Sequence, residues 1–277
     1  MFGKEILIKD WLAKQANSQA LEWEQAMQKF YPHYVKAWAE PEEHFRALQE
    51  EWNLLDAVKY LDWESLIAGQ ELRVLDLGSG TGWLAAFLSG FSGIRKIDAL
   101  DSSRHNLTVM LPEIVRLMKG DIGKVDPILG LFTPLPVEDE TYDFIVASSA
   151  IHHASSLFPL LRECRRVLKK NGRLIILNET PLSTLRYFVK IIKFFYSVIL
   201  CLVKRNFPEH SPVVSRSGIL YDPYLGDNIY TYAQWRQAIK QTGFSFELIA
   251  TPYFVDKKKK HQVVKLAHFI CVKTGDE

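Results

Sequence analysis

Val74-Leu75-Asp76-Leu77-Gly78-Ser79-Gly80-Thr81-Gly82-Trp83 is the stretch that decides the fold. An apolar run carrying one acid breaks at three alternate glycines and passes into residues with helical spacing. Such a pattern is a buried strand delivering a tight turn to the start of a helix. Backbone without side chains lets a ligand come close, and the first helical turn offers unpaired N–H groups. Dinucleotide loops of the GxGxxG kind look similar, but their third glycine would fall at position 83, which here is Trp83. The position of Asp76 separates the readings further. A carboxylate repels a pyrophosphate. It attracts a ligand bearing an ammonium and a sulfonium, by as much as about 4 kcal/mol at contact with an effective dielectric near 20.

Outward from this loop, short apolar runs alternate with helical stretches. Strands are expected at Leu72–Leu77, Ile94–Leu100, Ile128–Phe132, Phe144–Ser148 and Arg173–Asn178, and helices at Trp83–Phe91, His105–Met118 and Leu157–Leu168. That alternation predicts an α/β fold, a doubly wound and mainly parallel sheet covered on both faces. Asp101 ends the second strand, where an acid can accept both hydroxyls of a ribose. Thr231 with Gln234 forms a capping box for a helix that Gly243 closes, and Phe244–Thr251 and Val263–Val272 read as a hairpin around a lysine-rich turn, Lys257–Lys260. Before all this, residues 1–70 read as a helical extension, with Trp11, Leu12, Leu21, Trp23, Met27 and Phe30 and then Phe45, Leu48, Trp52, Leu55, Val58 and Leu61 as packing stripes. The domain proper is expected over 71–277.

Asp76–Gly82, Asp101, the run Leu135-Pro136-Val137-Glu138-Asp139-Glu140-Thr141-Tyr142-Asp143-Phe144, His152-His153 and Leu161–Gly172 together resemble a class I S-adenosylmethionine-dependent methyltransferase, most of all the type 11 set acting on small molecules. The resemblance implies a Rossmann-like seven-stranded sheet with the last strand antiparallel. It implies S-adenosylmethionine as cofactor and S-adenosylhomocysteine as product. Asp76, Gly78, Ser79, Gly80 and Gly82 would lie by the methionine moiety, with Ser148 at its end, and Asp101 with Ser102 by the ribose. For the adenine two placements compete. Gly120-Asp121 supplies the family's Gly-Asp letters; Gly130-Leu131-Phe132 gives the usual spacing to Leu135-Pro136 and would set the base on Leu131 and Phe132. The second is preferred here, because Ile128–Phe132 reads as the better strand.

His152 and His153 are the candidate catalytic residues, since a histidine at the carboxyl edge of such a sheet can take a proton from an acceptor hydroxyl. Glu179 is expected in the acceptor pocket. No metal is expected: Cys164, Cys201 and Cys271 lie far apart without ligand spacing, which also fits a reducing, cytoplasmic compartment. No signal peptide is apparent at the start of the sequence. A net charge of +2 and the absence of an Asn/Asp-Pro-Pro-aromatic motif after Ser148 argue against nucleic acid as partner. The segment 180–230 is expected to be a lid-like insertion after the fifth strand. Its apolar part, 185–203, carries Lys190 and Lys193 and is too interrupted to span a membrane, so a lid, a dimer contact or a peripheral membrane contact all fit. The expected activity is methyl transfer to a small apolar, aromatic or sugar-like acceptor, at oxygen. The alternatives are a catalytically silent binding or scaffold protein, with Trp83 or Phe91 occluding the loop, and a nucleotide-sugar or NAD-linked enzyme.

Overall fold

Period-two burial sorts each central strand between two helical layers. In the computed structural model, which describes residues 7–15, 40–67, 71–154, 156–204, 213–214, 219–222, 226–258 and 262–275, the strands are β1 (Lys9–Asp10), β2 (Leu72–Leu77), β3 (Ile94–Asp101), β4 (Val125–Leu129), β5 (Tyr142–Ser148), β6 (Leu168–Glu179), β7 (Val213–Val214), β8 (Leu220–Asp222), β9 (Asp227–Ile229), β10 (Phe244–Phe254) and β11 (Lys265–Lys273). The helices are α1 (Pro41–Glu50), α2 (Leu54–Lys59), α3 (Trp63–Ile67), α4 (Trp83–Ser89), α5 (Leu111–Leu117), α6 (Leu157–Val167), α7 (Thr184–Lys204) and α8 (Tyr232–Gln241). Leu75, Leu77, Leu100 and Ile145 pack with Leu160, Leu161, Trp235 and Phe269 under α6 and α8. Val74, Ile97, Ala99 and Val146 face the other way, onto Leu48, Val58, Leu84, Leu88 and Ile114 of α1, α2, α4 and α5. Strands buried on both faces need such near-continuous apolar sequence.

The main sheet runs β1-β4-β3-β2-β5-β6-β11-β10, parallel from β1 to β6, with β11 antiparallel to both β6 and β10. The seven expected strands are all present, and the last is antiparallel. An eighth is added at the edge by β1, which corrects the reading of residues 1–70 as helix throughout. Lys9 pairs with Ile128 and Asp10 with Leu129, and the Trp11 N–H donates to the Leu129 carbonyl at 2.8 Å. The free side of β4 is an unpaired ladder, and a short extended segment satisfies it where a helix cannot. Within the extension, helices occupy 41–50, 54–59 and 63–67; Leu21, Trp23, Met27 and Phe30 lie outside the described residues.

The third central strand is Val125–Leu129, not Ile128–Phe132. Pro127 looks like a strand breaker in sequence, yet it sits just before the two residues that β1 covers, where its missing N–H costs no ladder bond. Gly120-Asp121 therefore precedes the strand, with the Asp121 carboxylate capping Gly123, and Gly130-Leu131-Phe132 follows it. The capping box at Thr231 and Gln234 is formed, and Gly243 closes α8 at φ +78. The lysine turn is less solvated than expected: Lys257 pairs with Asp56 and donates to the Gln49 carbonyl, both at 2.7 Å, tying the hairpin to the amino-terminal helices. Lys259 and Lys260 lie outside the described residues.

Candidate active site

The glycine loop joins β2 to α4 at the carboxyl edge of the sheet. Gly78, Gly80 and Gly82 have φ of +75, +52 and +81, a left-handed backbone that other residues rarely adopt. The N–H groups of Gly78 and Ser79 both donate to the Leu100 carbonyl, at 2.9 and 2.8 Å, which ties the loop to the end of β3. The next residue, Asp101, receives the Gly80 N–H and the Ser103 N–H at 2.8 Å each and the Asn106 side-chain amide at 3.3 Å. Ser102 beside it is half-buried. A Cβ on Gly78 would meet Ala150 at 2.8 Å and the Phe132 ring at 3.1 Å, and one on Gly82 would meet Leu111 at 2.6 Å, so both positions are confined to glycine by neighbours as well as by φ. Thr81 is buried, and its hydroxyl lies 2.7 Å from Nε2 of His44 on α1. His44 was not singled out in the sequence, because a histidine in an amphipathic helix carries no signal of its own.

Asp76 lies under this loop, 1% exposed, on the sheet face covered by α4. No hydrogen bond of ordinary geometry reaches either carboxylate oxygen. Burial, with the repulsion of Asp101, pushes its pKa up to about 8; the Ala85 N–H in the first turn of α4 opposes this. Two acids thus converge on one loop, and the inner one lacks a side-chain partner.

The loop after β4 is held from the amino-terminal segment. Buried Gln15 donates to the Leu131 and Pro134 carbonyls at 2.9 and 2.6 Å and accepts the Leu131 N–H at 2.7 Å. This puts the Phe132 ring against Gly78 and leaves Leu131 and Phe132 partly exposed. Trp83 and Phe91, the residues feared to occlude the loop, instead belong to the packed layer of α3 and α4, with Phe91 against Phe87 and Trp63.

At the other side of the loop, Ser149 just after β5 and Asn178 next to the last residue of β6 have left-handed backbone, at φ +48 and +57. The Asn178 amide donates to Ser148 Oγ at 2.9 Å, and Ser149 Oγ donates to the Asn178 carbonyl at 2.9 Å. Strained residues of this kind gather at functional sites. Beyond them His152 lies between two acids: its Nδ1 is 2.8 Å from Glu179 Oε2 and its Nε2 is 3.4 Å from Asp227 Oδ1. His153 Nδ1 is 3.2 Å from the same Asp227 oxygen and 3.3 Å from the Gly226 carbonyl, and the two imidazoles are 4.3 Å apart. Burial lowers the His152 pKa, but Glu179 and Asp227 outweigh it and hold it at about 10. Burial and the charge of His152 drive His153 down to about 4. Glu179 is buried with Oε1 unpartnered, as is the Tyr230 hydroxyl, which burial and Glu179 push up to about 12. Asp227 was missed in the sequence: it belongs to the inserted sheet β7–β9, and only the fold brings it to the histidines. Among the described residues, His152, His153 and Asp227 form the group whose donor atoms could share a cation.

The architecture, with its glycine loop, strand-end acid and antiparallel last strand, is that of the Rossmann-like class I methyltransferases. An S-adenosylmethionine-dependent methyltransferase from Aquifex aeolicus superposes with a TM-score of 0.52 at 18% identity, covering 88% of this chain and all (100%) of that one. Residues 75–176 match the model of the methyltransferase domain family. Demethylmenaquinone methyltransferase of Thermotoga maritima is 37% identical over 44% of this chain and 50% of its own length. The sarcosine/dimethylglycine N-methyltransferase of Aphanothece halophytica is 30% identical over 40% of this chain and 39% of its own length. The chain thus spans half or less of the length of these curated relatives.

Proposed function

We propose that this chain transfers a methyl group from S-adenosylmethionine to an oxygen of a small, apolar, hydroxyl-bearing acceptor at a membrane surface. One observation carries the reading: Asp76 is a buried carboxylate that no side chain and no hydrogen bond of ordinary geometry satisfies, beside a second acid and under a glycine loop. Such a group is costly to bury. A cation above the loop relieves it, and a dinucleotide pyrophosphate would worsen it. When bound, S-adenosylmethionine supplies a methyl group activated on a sulfonium and is left as S-adenosylhomocysteine.

The chain's own residues then have assignable tasks. Asp76, Gly78, Ser79, Gly80 and Gly82 face the methionine end with Ser148, Asp101 and Ser102 take the ribose hydroxyls, and Leu131 and Phe132 flank the adenine. The Gly80 and Ser103 N–H groups fix the Asp101 carboxylate at the end of β3, where the ribose hydroxyls would lie. His152, His153, Glu179 and Asp227 meet the acceptor hydroxyl: its oxygen takes the methyl group, and its proton passes into this cluster of imidazoles and carboxylates. The insertion 180–230 is the cover of the acceptor pocket through β7–β9.

The apolar character of the acceptor is supported by α7. Leu185, Phe188, Ile192, Phe195, Ile199 and Leu202 are all exposed on it, alongside Arg186, Lys190 and Lys193, and Thr184–Lys204 contains no acid. An exposed apolar stripe flanked by cations suits an anionic lipid surface. No helix among the described residues is long and apolar enough to cross a membrane. A cytoplasmic place is supported by the free, buried thiols of Cys164 and Cys271. Calorimetry tests the whole reading. S-adenosylmethionine is expected to bind with micromolar affinity, lost in Asp101→Ala, and a wild-type titration without heat overturns it.

A further inference from the structure

Two adjacent histidines on one short turn, an aspartate delivered by the inserted sheet and a buried glutamate behind them form a donor set that the sequence holds far apart. We propose that His152 Nε2, His153 Nδ1 and Asp227 Oδ1 bind a divalent transition-metal ion at the acceptor end of the site. The inference deepens the function proposed above, and rests on it only for what the ion does there.

The spacing comes first. Asp227 Oδ1 is 3.4 Å from His152 Nε2 and 3.2 Å from His153 Nδ1, and all three atoms lie within 4.8 Å of one another. Nitrogen and oxygen ligands about 2.1 Å from a shared ion stand roughly 3.0 Å apart when adjacent in an octahedron and roughly 3.4 Å apart in a tetrahedron. Both separations from the Asp227 oxygen fall in that interval, so an ion can seat between the carboxylate and the two imidazoles once the rings adjust to each other.

The surroundings are those of a metal-binding histidine. Glu179 Oε2 sits 2.8 Å from His152 Nδ1, on the side of the ring away from Asp227, so it holds the Nδ1 proton while an entering ion displaces the proton on Nε2. The Asn228 amide donates to the carbonyls of His152 and Ala154 at 3.0 and 2.9 Å, clamping the turn that presents both rings. The Gly226 carbonyl, 3.3 Å from His153 Nδ1, is a further oxygen at the same place. Glu179 and Asp227 bring two carboxylates to a pocket in which Glu179 Oε1 has no partner, an excess of negative charge that a cation balances. Two imidazoles and one carboxylate favour iron, manganese, cobalt or zinc over magnesium or calcium. Three protein ligands leave positions open, and Ala150, which packs against Gly78, places them beside the glycine loop. An ion there would lower the pKa of an acceptor hydroxyl, whose proton would pass to the Glu179 carboxylate of the same cluster as the oxygen takes the methyl group.

The experiment is a titration of the untagged, metal-free protein with Co2+, followed by visible ligand-field absorption, with S-adenosylmethionine calorimetry on the same samples. One equivalent of Co2+ is expected to bind saturably. His153→Ala and Asp227→Asn should each weaken it at least about 100-fold, and Glu179→Gln about 10- to 100-fold, as outer-shell changes do. Retained binding of S-adenosylmethionine in each variant shows that the fold survives. Absence of saturable Co2+ uptake, or uptake that His153→Ala and Asp227→Asn leave unchanged, overturns the ion site. Cofactor binding without Co2+ binding overturns the ion alone, whereas Co2+ binding without cofactor binding overturns the methyltransferase reading and leaves the ion standing.

Discussion

Among single residues, the place proposed for Asp76 beside the methionine end would link cofactor binding to pH. Its pKa rises from 3.8 to about 8 on folding, because burial and Asp101 both oppose its charge. The native state therefore holds a proton that the unfolded chain has lost, and between about pH 4 and pH 8 this group makes stability fall as pH rises. A cation above the loop favours the ionised form. Affinity for S-adenosylmethionine should accordingly increase from pH 6 to pH 8, by up to about tenfold per unit, and level off above it. Asp76→Asn should lose that slope, bind the cofactor more weakly and, without cofactor, melt at a higher temperature than the wild type at pH 8. Calorimetry across pH and thermal melts of both proteins check this; parallel slopes in the two would remove Asp76 from the account. Asp76 and Asp101 were legible in the sequence because a strand-end acid beside a glycine loop is a local pattern. Asp227 and His44 were not, since each acquires its role only by meeting a residue remote in the chain.

Among the elements, β1 and α7 differ most from what periodicity suggested. Trp11 is read in sequence as part of a helical stripe, but the open edge of β4 recruits Lys9–Asp10 as a strand, and Gln15, which no pattern singled out, then braces the loop carrying Leu131 and Phe132. Removing three buried hydrogen bonds at once leaves backbone groups of that loop unpaired, at about 1–3 kcal/mol each where water cannot replace them. Gln15→Ala should lower stability by about 2–4 kcal/mol in urea unfolding and weaken cofactor binding, while Lys9→Ala, on the exposed side, should do neither to a comparable extent. The helix α7 rests on β8 through buried Tyr187 in its first turn, whose hydroxyl accepts the Leu220 N–H at 3.1 Å, with Ile191 packed beside it. Co-sedimentation with phosphatidylglycerol vesicles is expected, reduced by salt and by neutral lipid, and abolished when Phe188, Ile192 and Ile199 are all changed to glutamate. Sedimentation that survives the triple change removes α7 from the membrane contact.

Over the whole molecule, what the sequence made plain is the doubly wound core, because strands buried on both faces must be apolar throughout and glycine loops must follow them. What it concealed are the couplings between distant segments: His44 to Thr81, Gln15 to Leu131, Lys257 to Asp56. Each ties a peripheral piece to the glycine loop or to its supports. His44→Ala, which leaves the Thr81 hydroxyl buried without its partner, should cost about 1–3 kcal/mol in unfolding stability and raise the cofactor Kd. A comparable loss of stability with the Kd unchanged would show that α1 supports the core and not the loop. The carboxyl edge divides along the same lines. The glycine loop, Asp101 and the 130–134 segment belong to the central sheet, whereas Asp227 and Tyr230 arrive with the inserted segment, whose strands form a separate small sheet. On the proposed function, the methyl donor and its recipient would therefore be met by separable modules that join around His152, His153, Ala154 and Glu179. Exchanging the insert for one of different shape would redirect the chemistry to a new recipient while the donor pocket stays as it is, so a single core of this kind can serve many recipients.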